Sequence, residues 1–173
     1  GLLAKEEDEK TIEFLLARPV SRGEIIRDKV LCWVIYMVLF NVIIGIFTWL
    51  GFELFDVGAF SRATLFFLVL APLFVHLIFA AMGFLSALFF VRRKAALSMS
   101  IGLVLGLYFL NAIALLSEDM QFLGWFSPFR YMDAADIVNN GGINWTYALG
   151  LLLVAAVMVA VAGILYRKRD IAV

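Results

Sequence analysis

Long apolar runs separated by short charged segments organise this chain. Four runs contain no Asp, Glu, Lys or Arg, and they cover residues 30–52, 63–91, 95–117 and 146–166. Each run is long enough to cross a bilayer, because a transmembrane helix takes about 20 apolar residues. The pattern predicts an all-α fold, a polytopic transmembrane helix bundle with four spans. Residues 30–173 then form the transmembrane domain, preceded by a polar segment at residues 1–29.

The second run is longer than a bilayer requires, so we expect it to tilt, bend or project from the membrane. Pro72 lies inside this run and is the expected position of a bend. Proline removes a backbone donor and clashes with the preceding turn. The third and fourth runs are rich in Ala, Gly and Ser, residues that let membrane helices approach closely. We therefore expect both of these runs to pack against other helices.

Composition agrees with a membrane protein. The chain is 64% hydrophobic and 16% charged, with a mean hydropathy of +1.00. Soluble domains carry about 25% charged residues. The formal net charge is zero, which gives no indication of a nucleic-acid partner. Cys32 is the single cysteine, so no internal disulfide can form, and we expect it to act as a small buried apolar side chain.

Basic residues predict the orientation of the spans. Of the 14 Lys and Arg residues, 12 lie before the first run, between the second and third runs, or after the fourth. These three regions share one side of the membrane if four spans alternate. Because cytoplasmic loops carry an excess of Lys and Arg, we expect a multi-pass protein of the cell (inner) membrane with both termini in the cytoplasm.

The region between the third and fourth runs has a pattern of its own. Aromatic residues fill its first half, as is typical of a membrane interface. Pro128 interrupts this half, and residues 133–138 then have the pattern of a short helix that ends at the Asn and Gly residues of 139–142. The pattern predicts short helices that dip into the outer leaflet, or an interfacial cap over the bundle.

The polar segment at residues 1–29 is patterned as well. Acidic residues at positions 6–9 favour the start of a helix. Ile12, Leu15 and Leu16 follow at helical spacing, and Pro19 stops the helix. A short amphipathic helix is therefore predicted at about residues 10–17. On this pattern alone it could simply anchor the loop at the membrane surface.

A second helix is predicted to start immediately afterwards. Ser21 and Glu24 have the spacing of a capping box, in which the two side chains satisfy backbone donors of the first turn. This helix would continue into the first span as a rigid link. Residues 1–4 are apolar and stop at Lys5. We expect them to be the exit of a further span upstream, or else a processed or tagged start.

Three polar side chains lie inside the apolar runs: His76, Asn41 and Asn111. Ionisable residues inside spans are candidate functional sites, so His76 could serve a proton relay or bind a metal. No second histidine and no other charged residue accompanies it, whereas metal sites need several ligands. A packing or pathway role is favoured for His76. The two asparagines could be its partners, or could form separate interhelical hydrogen bonds.

Residues 9–29 resemble the signature loop of ABC transporter type-2 permeases, in the drug-export, sodium-export and copper-maturation branches. The segments 127–131 and 166–170 are also similar to the aromatic segment before the last span of that family and to its basic ending. The resemblance thus covers nearly the whole chain. The matching positions in the loop are Thr11, Glu13, Leu15, Leu16, Pro19, Val20, Ser21, Arg22 and Lys29.

The resemblance implies six spans in the complete family fold, of which this chain would hold the third to the sixth and lack the first two. It implies that residues 10–17 are a coupling helix seated on a separate ABC ATPase subunit, and that a second permease copy or paralogue completes a dimer. The residues implied in coupling are Thr11, Ile12, Glu13, Leu15, Leu16, Arg18 and Pro19.

The sequence contains no G-x-x-x-x-G-K-[ST] phosphate loop. The chain is therefore expected to be no enzyme and to carry no cofactor, with ATP used by the partner subunit. The predicted function is that of the permease subunit of an ABC exporter. A secondary, ion-coupled transporter and a non-transporting membrane scaffold are the alternatives. The apolar spans favour amphiphilic over hydrated cargo.

Overall fold

The structure, a computed structural model, describes residues 22–55, 61–90 and 92–168. Within these ranges the chain is helical and has no strand, which confirms the predicted all-α class. Five α-helices and two short 3₁₀ helices, η1 and η2, follow one another. They are α1 (Arg22–Leu54), α2 (Arg62–Ala87), α3 (Arg93–Leu116), η1 (Glu118–Phe126), η2 (Pro128–Met132), α4 (Ala134–Asn140) and α5 (Trp145–Lys168).

Four helices, α1, α2, α3 and α5, are long and apolar enough to cross a membrane. This confirms the four predicted spans, although two of their ends differ. The helix of the first span already begins at Arg22, because its polar first turns are helical too. The helix of the second span ends at Ala87, not at 91. There the backbone N–H groups of Leu88 and Phe89 bond carbonyls three residues back and form a turn, whereas an apolar run does not show where a helix stops.

Helices α2 and α5 form the centre of the bundle. In their most apolar stretches 28% and 22% of the residues are buried, against 6% in both α1 and α3. Cys32 of α1 is exposed and not buried as expected, because few positions of this helix are covered by other helices. Alanines in the shared core allow the two helix axes to approach closely. The buried core consists of Ala71, Phe74, Val75, Ile78, Ala81, Met132, Ile137, Ile143, Ala148, Leu151 and Ala155.

A smaller cluster fixes which helix ends meet. Ile26 at the start of α1 packs with Leu88 just after α2, and with Ala162 and Tyr166 near the end of α5. The described chain therefore starts and finishes at the same end of the bundle. This end also carries Arg27, Arg92 and other basic residues, and we call it the basic end.

The segment between α3 and α5 folds back into the bundle. Phe129 of η2 contacts Phe79 of α2 at a ring-centroid distance of 5.2 Å and Tyr108 of α3 at 5.8 Å. Phe79 lies about 26 Å along α2 from its first residue, at 1.5 Å per residue. Tyr108 lies about 12 Å along α3 from its last residue, at 1.5 Å per residue. Phe129 therefore packs between α2 and α3 below the ends of both helices, which fits a segment that dips between the helices and not a surface cap. We call η1 and η2 together the re-entrant segment.

The short helix α4 follows the predicted pattern closely. Asp133 caps it by accepting hydrogen bonds from the backbone N–H groups of Ala135 and Asp136, at 2.8 and 3.3 Å. Gly141 ends it in the left-handed conformation, with φ at 68°, a position where glycine pays no steric penalty. α4 thereby carries the chain from the re-entrant segment back to α5.

Candidate coupling and pathway sites

The predicted coupling residues lie outside the described residues. This holds for Thr11, Ile12, Glu13, Leu15, Leu16, Arg18 and Pro19, and also for Ser21 of the predicted capping box. Their assignments stay predictions. The structure describes the helix that follows them, and α1 starts at Arg22, directly after Ser21, with Glu24 in its first turn.

Helix α1 is an unbroken rod of 33 residues. At 1.5 Å per residue it is about 50 Å long, while the hydrocarbon core of a bilayer is about 30 Å thick. Its apolar run begins at Val30 and is preceded by the charged residues Glu24, Arg27, Asp28 and Lys29. The first two turns of α1 therefore extend beyond the apolar layer and connect the N-terminal segment to the span without a joint.

The start of α1 is packed firmly against the bundle. Ile25 and Ile26 are both buried although charged residues surround them in sequence. In the same first turn of α1, a Cβ placed at Gly23 would lie 2.8 Å from Nη2 of Arg167 in α5. A displacement of the first turn of α1 would thus press on the ends of α2 and α5.

The polar side chains of the spans have different surroundings. Asn41 is 6% exposed, and its Nδ2 donates to the carbonyl oxygen of Val69 in α2 at 3.0 Å. Val69 lies three residues before Pro72, next to Leu68, whose carbonyl loses its helical donor because proline has no N–H. Neighbouring helices commonly satisfy the polar backbone groups near such prolines. Asn41 therefore joins α1 to the proline turn of α2.

His76 of α2 also lies against α1, where it contacts Phe40, the residue next to Asn41. Its ring is 6.2 Å from the ring of Phe40, centroid to centroid, and its Nδ1 is buried without a hydrogen-bond partner among the described residues. Asn111 lies in α3 and is only partly buried. The structure thus places Asn41 and His76 on the α1–α2 contact but gives Asn41 a backbone partner. Within the described ranges, no group of three His, Cys, Asp or Glu side chains could hold a metal ion.

The re-entrant segment is held by two side-chain hydrogen bonds to its own backbone. Nη1 of Arg130 donates to the backbone carbonyl oxygen of Gln121 at 2.8 Å. The hydroxyl of Tyr131 donates to the backbone carbonyl oxygen of Trp125 at 2.7 Å. Ser127, between η1 and η2, is fully buried. Sequence reasoning marked this segment by its aromatic residues and Pro128 but missed these two donors, because their acceptors are carbonyl groups that every residue has.

A family model described as ABC-2 family transporter protein matches residues 1–171 of the chain. The chain belongs to the ABC-2 transporter family. The match covers almost the full sequence and confirms the resemblance found in residues 9–29. Membership makes the chain a membrane component of ABC transport. No curated protein and no solved structure matched it.

In this ABC-2 family protein an apolar groove of about 500 Å³ runs between α1 and α2. Asn41 is the one amide in its lining, which also includes Gly45 and Val69, and a Cβ at Gly45 would lie 2.8 Å from Cγ1 of Val69. Its walls are aliphatic and aromatic: Val38, Val42, Ile46, Trp49, Leu50, Leu65, Phe66, Leu70 and Leu73.

A second cavity, of about 360 Å³, lies between the re-entrant segment, α2 and α5, beside the places where they are in contact. Trp125, Phe126 and Tyr131 face Ile78 and Met82 across it. The ABC-2 protein thus has two apolar cavities on opposite sides of α2, its central helix. Any conformational change that moves α2 would alter both cavities.

Proposed function

We propose that the chain is the permease subunit of an ABC exporter, in which it forms part of the membrane path. The observation that carries this proposal is the family match over residues 1–171. ABC-2 proteins are transport components, and four helices of this chain are able to span a membrane. The exported substrate would be an apolar or amphiphilic molecule, because the two cavities beside α2 are mainly apolar.

Energy would enter through residues 10–17, acting as a coupling helix on a separate ABC ATPase. Ile12, Leu15 and Leu16 form an apolar stripe that suits a groove on such a partner. The rigid course of α1 supports this role, since a continuous helix transmits a displacement over its whole length. A second copy of the chain or a paralogue would complete the path. The complex would lie in the cell (inner) membrane, with both termini of the chain in the cytoplasm.

Coupling can be tested by recovery of the ATPase. The full chain would be co-expressed with an ABC ATPase that carries a phosphate loop, from the same organism, and the ATPase that co-purifies would be quantified. We expect Leu15→Asp and Glu13→Lys to lower recovery at least roughly tenfold, the equivalent of about 1.4 kcal/mol. In Leu15→Asp, a charge on the apolar stripe would have to be buried without a partner. Glu13→Lys reverses a charge that flanks the stripe and would orient the helix on the ATPase.

Ala17→Asp is the matched control. Ala17 lies about 140° around the predicted helix from Ile12, at 100° per residue, so its side chain points away from the stripe. This variant should recover the ATPase like the wild type. All variants should be present in the membrane in equal amounts. Equal recovery with Leu15→Asp and with the wild type would contradict the proposal.

A further inference from the structure

A groove of about 550 Å³ opens between α1 and α5 at the basic end. At the start of α1, a Cβ placed at Gly23 would lie 2.8 Å from Nη2 of Arg167 in α5. The groove therefore lies where the apolar runs of both helices give way to charged residues. It is lined by Gly23, Ile26, Arg27, Val30, Leu31, Val34, Val159, Ala160, Gly163, Ile164 and Arg167.

Two guanidinium groups line the upper part of this groove, and none of the described residues that line it carries a carboxylate. Arg27 pairs with its neighbour Asp28 at 3.1 Å, but both side chains are largely exposed, and such surface pairs are weak. Arg167 has no hydrogen bond or ion pair with any described residue. Its Nη2 lies 2.8 Å from the Cβ position of Gly23, so the guanidinium reaches across the first turn of α1. This upper part is a positively charged site for an anion.

Below the two arginines the groove is apolar. Val30, Leu31 and Val34 form the α1 wall, while Val159 and Ile164 form the α5 wall. The distance from Arg27 to Val34 is about 10 Å along the helix. Ala160 and Gly163 leave space between the walls, and a Cβ at Gly163 would meet nothing within 4 Å. The groove thus joins an anion site at headgroup depth to an apolar channel at acyl-chain depth.

We propose that this groove binds an anionic phospholipid. Its phosphate would be held between Arg27 and Arg167, and one acyl chain would lie along Val30, Val34 and Val159. Arginine forms strong charge-assisted hydrogen bonds with phosphate. Basic pockets between membrane helices on the cytoplasmic side bind anionic headgroups, and the basic end is the one predicted to face the cytoplasm. Charge complementarity therefore selects this occupant.

Native mass spectrometry of the purified full chain tests the proposal with phosphatidylglycerol as the probe. We expect one tightly held phosphatidylglycerol on the wild type, and weaker retention of phosphatidylcholine. The double variant R27Q/R167Q should bind phosphatidylglycerol roughly tenfold or more weakly, because each basic residue near an anionic headgroup contributes measurably. The matched control R92Q/K94Q removes two positive charges from exposed positions at the same end but outside the groove, and it should bind as the wild type does.

The variant Gly163→Leu tests the apolar channel of the groove independently of the two arginines. This change keeps both arginines and places a side chain in the channel, so phosphatidylglycerol should be lost. Inorganic phosphate should compete poorly, because it lacks an acyl chain. Retention by Gly163→Leu, equal losses in R27Q/R167Q and R92Q/K94Q, or full competition by inorganic phosphate would each overturn the proposal. So would the absence of bound lipid on the wild type, the result expected if residues 1–21 or another helix fill the groove.

The inference does not depend on the proposed transport function. Lipid retention is measured on the chain alone, without an ATPase and without a transported substrate. A negative result here would leave the coupling test unaffected, and the reverse also holds.

Discussion

Asn41 shows how a single polar side chain is accommodated inside an apolar helix. Its amide is buried and donates to the Val69 carbonyl, in the turn of α2 that Pro72 perturbs. In a bilayer no water can replace this donor. The sequence identified Asn41 as a candidate for an interhelical hydrogen bond. It could not identify the acceptor, because every residue has a backbone carbonyl and the sequence does not distinguish one from another. Only the packing of α1 on α2 brings the Val69 carbonyl to Asn41.

We predict that Asn41→Leu lowers the free energy of unfolding by about 1 kcal/mol, the usual size of an interhelical hydrogen bond in a membrane. Leucine is close to asparagine in shape and lacks the amide group. Detergent-induced unfolding of the purified chain would measure the change. Ile43→Leu, at a position that is 51% exposed on the same helix, is the control and should unfold like the wild type. No loss of stability in Asn41→Leu would contradict the assigned bond.

At the scale of elements, the re-entrant segment shows what holds an irregular backbone within a helix bundle. Regular 3₁₀ helices seldom exceed three or four residues, yet η1 has nine. Arg130 and Tyr131 donate hydrogen bonds to two of its carbonyl groups and so tie η1 to η2. Aromatic composition and Pro128 predicted that this segment lies at the membrane. The depth that it reaches could not be predicted, because it depends on Phe129 packing against Phe79 and Tyr108 from distant parts of the chain.

We expect Tyr131→Phe to destabilise the chain by about 1 kcal/mol, the typical net value of one hydrogen bond. Tyr147→Phe is the matched control, because the two rings contact each other at 5.3 Å and only the Tyr131 hydroxyl has a partner among the described residues. Both variants keep the ring contact. Thermal unfolding of the two proteins should therefore differ, and equal midpoints would argue against the bond to Trp125.

The contact of α1 with α2 depends on one glycine. A Cβ at Gly45 would lie 2.8 Å from Cγ1 of Val69, and the β-branched valine has little freedom to rotate away. We predict that Gly45→Ala destabilises the chain by about 1–3 kcal/mol, as overpacking does. The double variant Gly45→Ala with Val69→Ala should recover much of this loss.

Gly51 provides the comparison for that prediction. It lies in α1 too, and a Cβ there would meet nothing within 4 Å. Gly51→Ala should therefore be neutral, or slightly stabilising through its better helix propensity. Unfolding in detergent would rank the three variants. A Gly45→Ala chain as stable as Gly51→Ala would show that α1 and α2 are not in close contact there.

At the scale of the whole molecule, the sequence predicted the class of fold and the number of spans because both depend on the length of apolar runs. It could not predict that α2 and α5 lie at the centre. All four runs are similarly apolar, and which helix is buried depends on contacts between them. The same limit applies to the small residues of α3. A Cβ would meet nothing within 4 Å at Gly102 or at Gly106, whereas Ala96 is buried.

The orientation of the bundle can be tested by labelling. In a Cys32→Ala background, a cysteine at the exposed position 140, in α4, should react with a membrane-impermeant maleimide in intact cells. A cysteine at position 94, exposed at the basic end, should react only after permeabilisation. The reverse pattern would place the basic end outside and contradict the orientation predicted from the Lys and Arg residues.

The depth of the re-entrant segment also has a consequence for permeability. Phe129 meets α2 at Phe79, and only about 12 Å of α2 remain between Phe79 and Ala87, at 1.5 Å per residue. The barrier beside α2 is therefore divided unequally. Beyond Phe129, a polar group would have about two helical turns left to cross along α2, but about four turns along α3 before Arg93. The last two turns of α2 are therefore the part of the bundle whose movement would matter most for permeability.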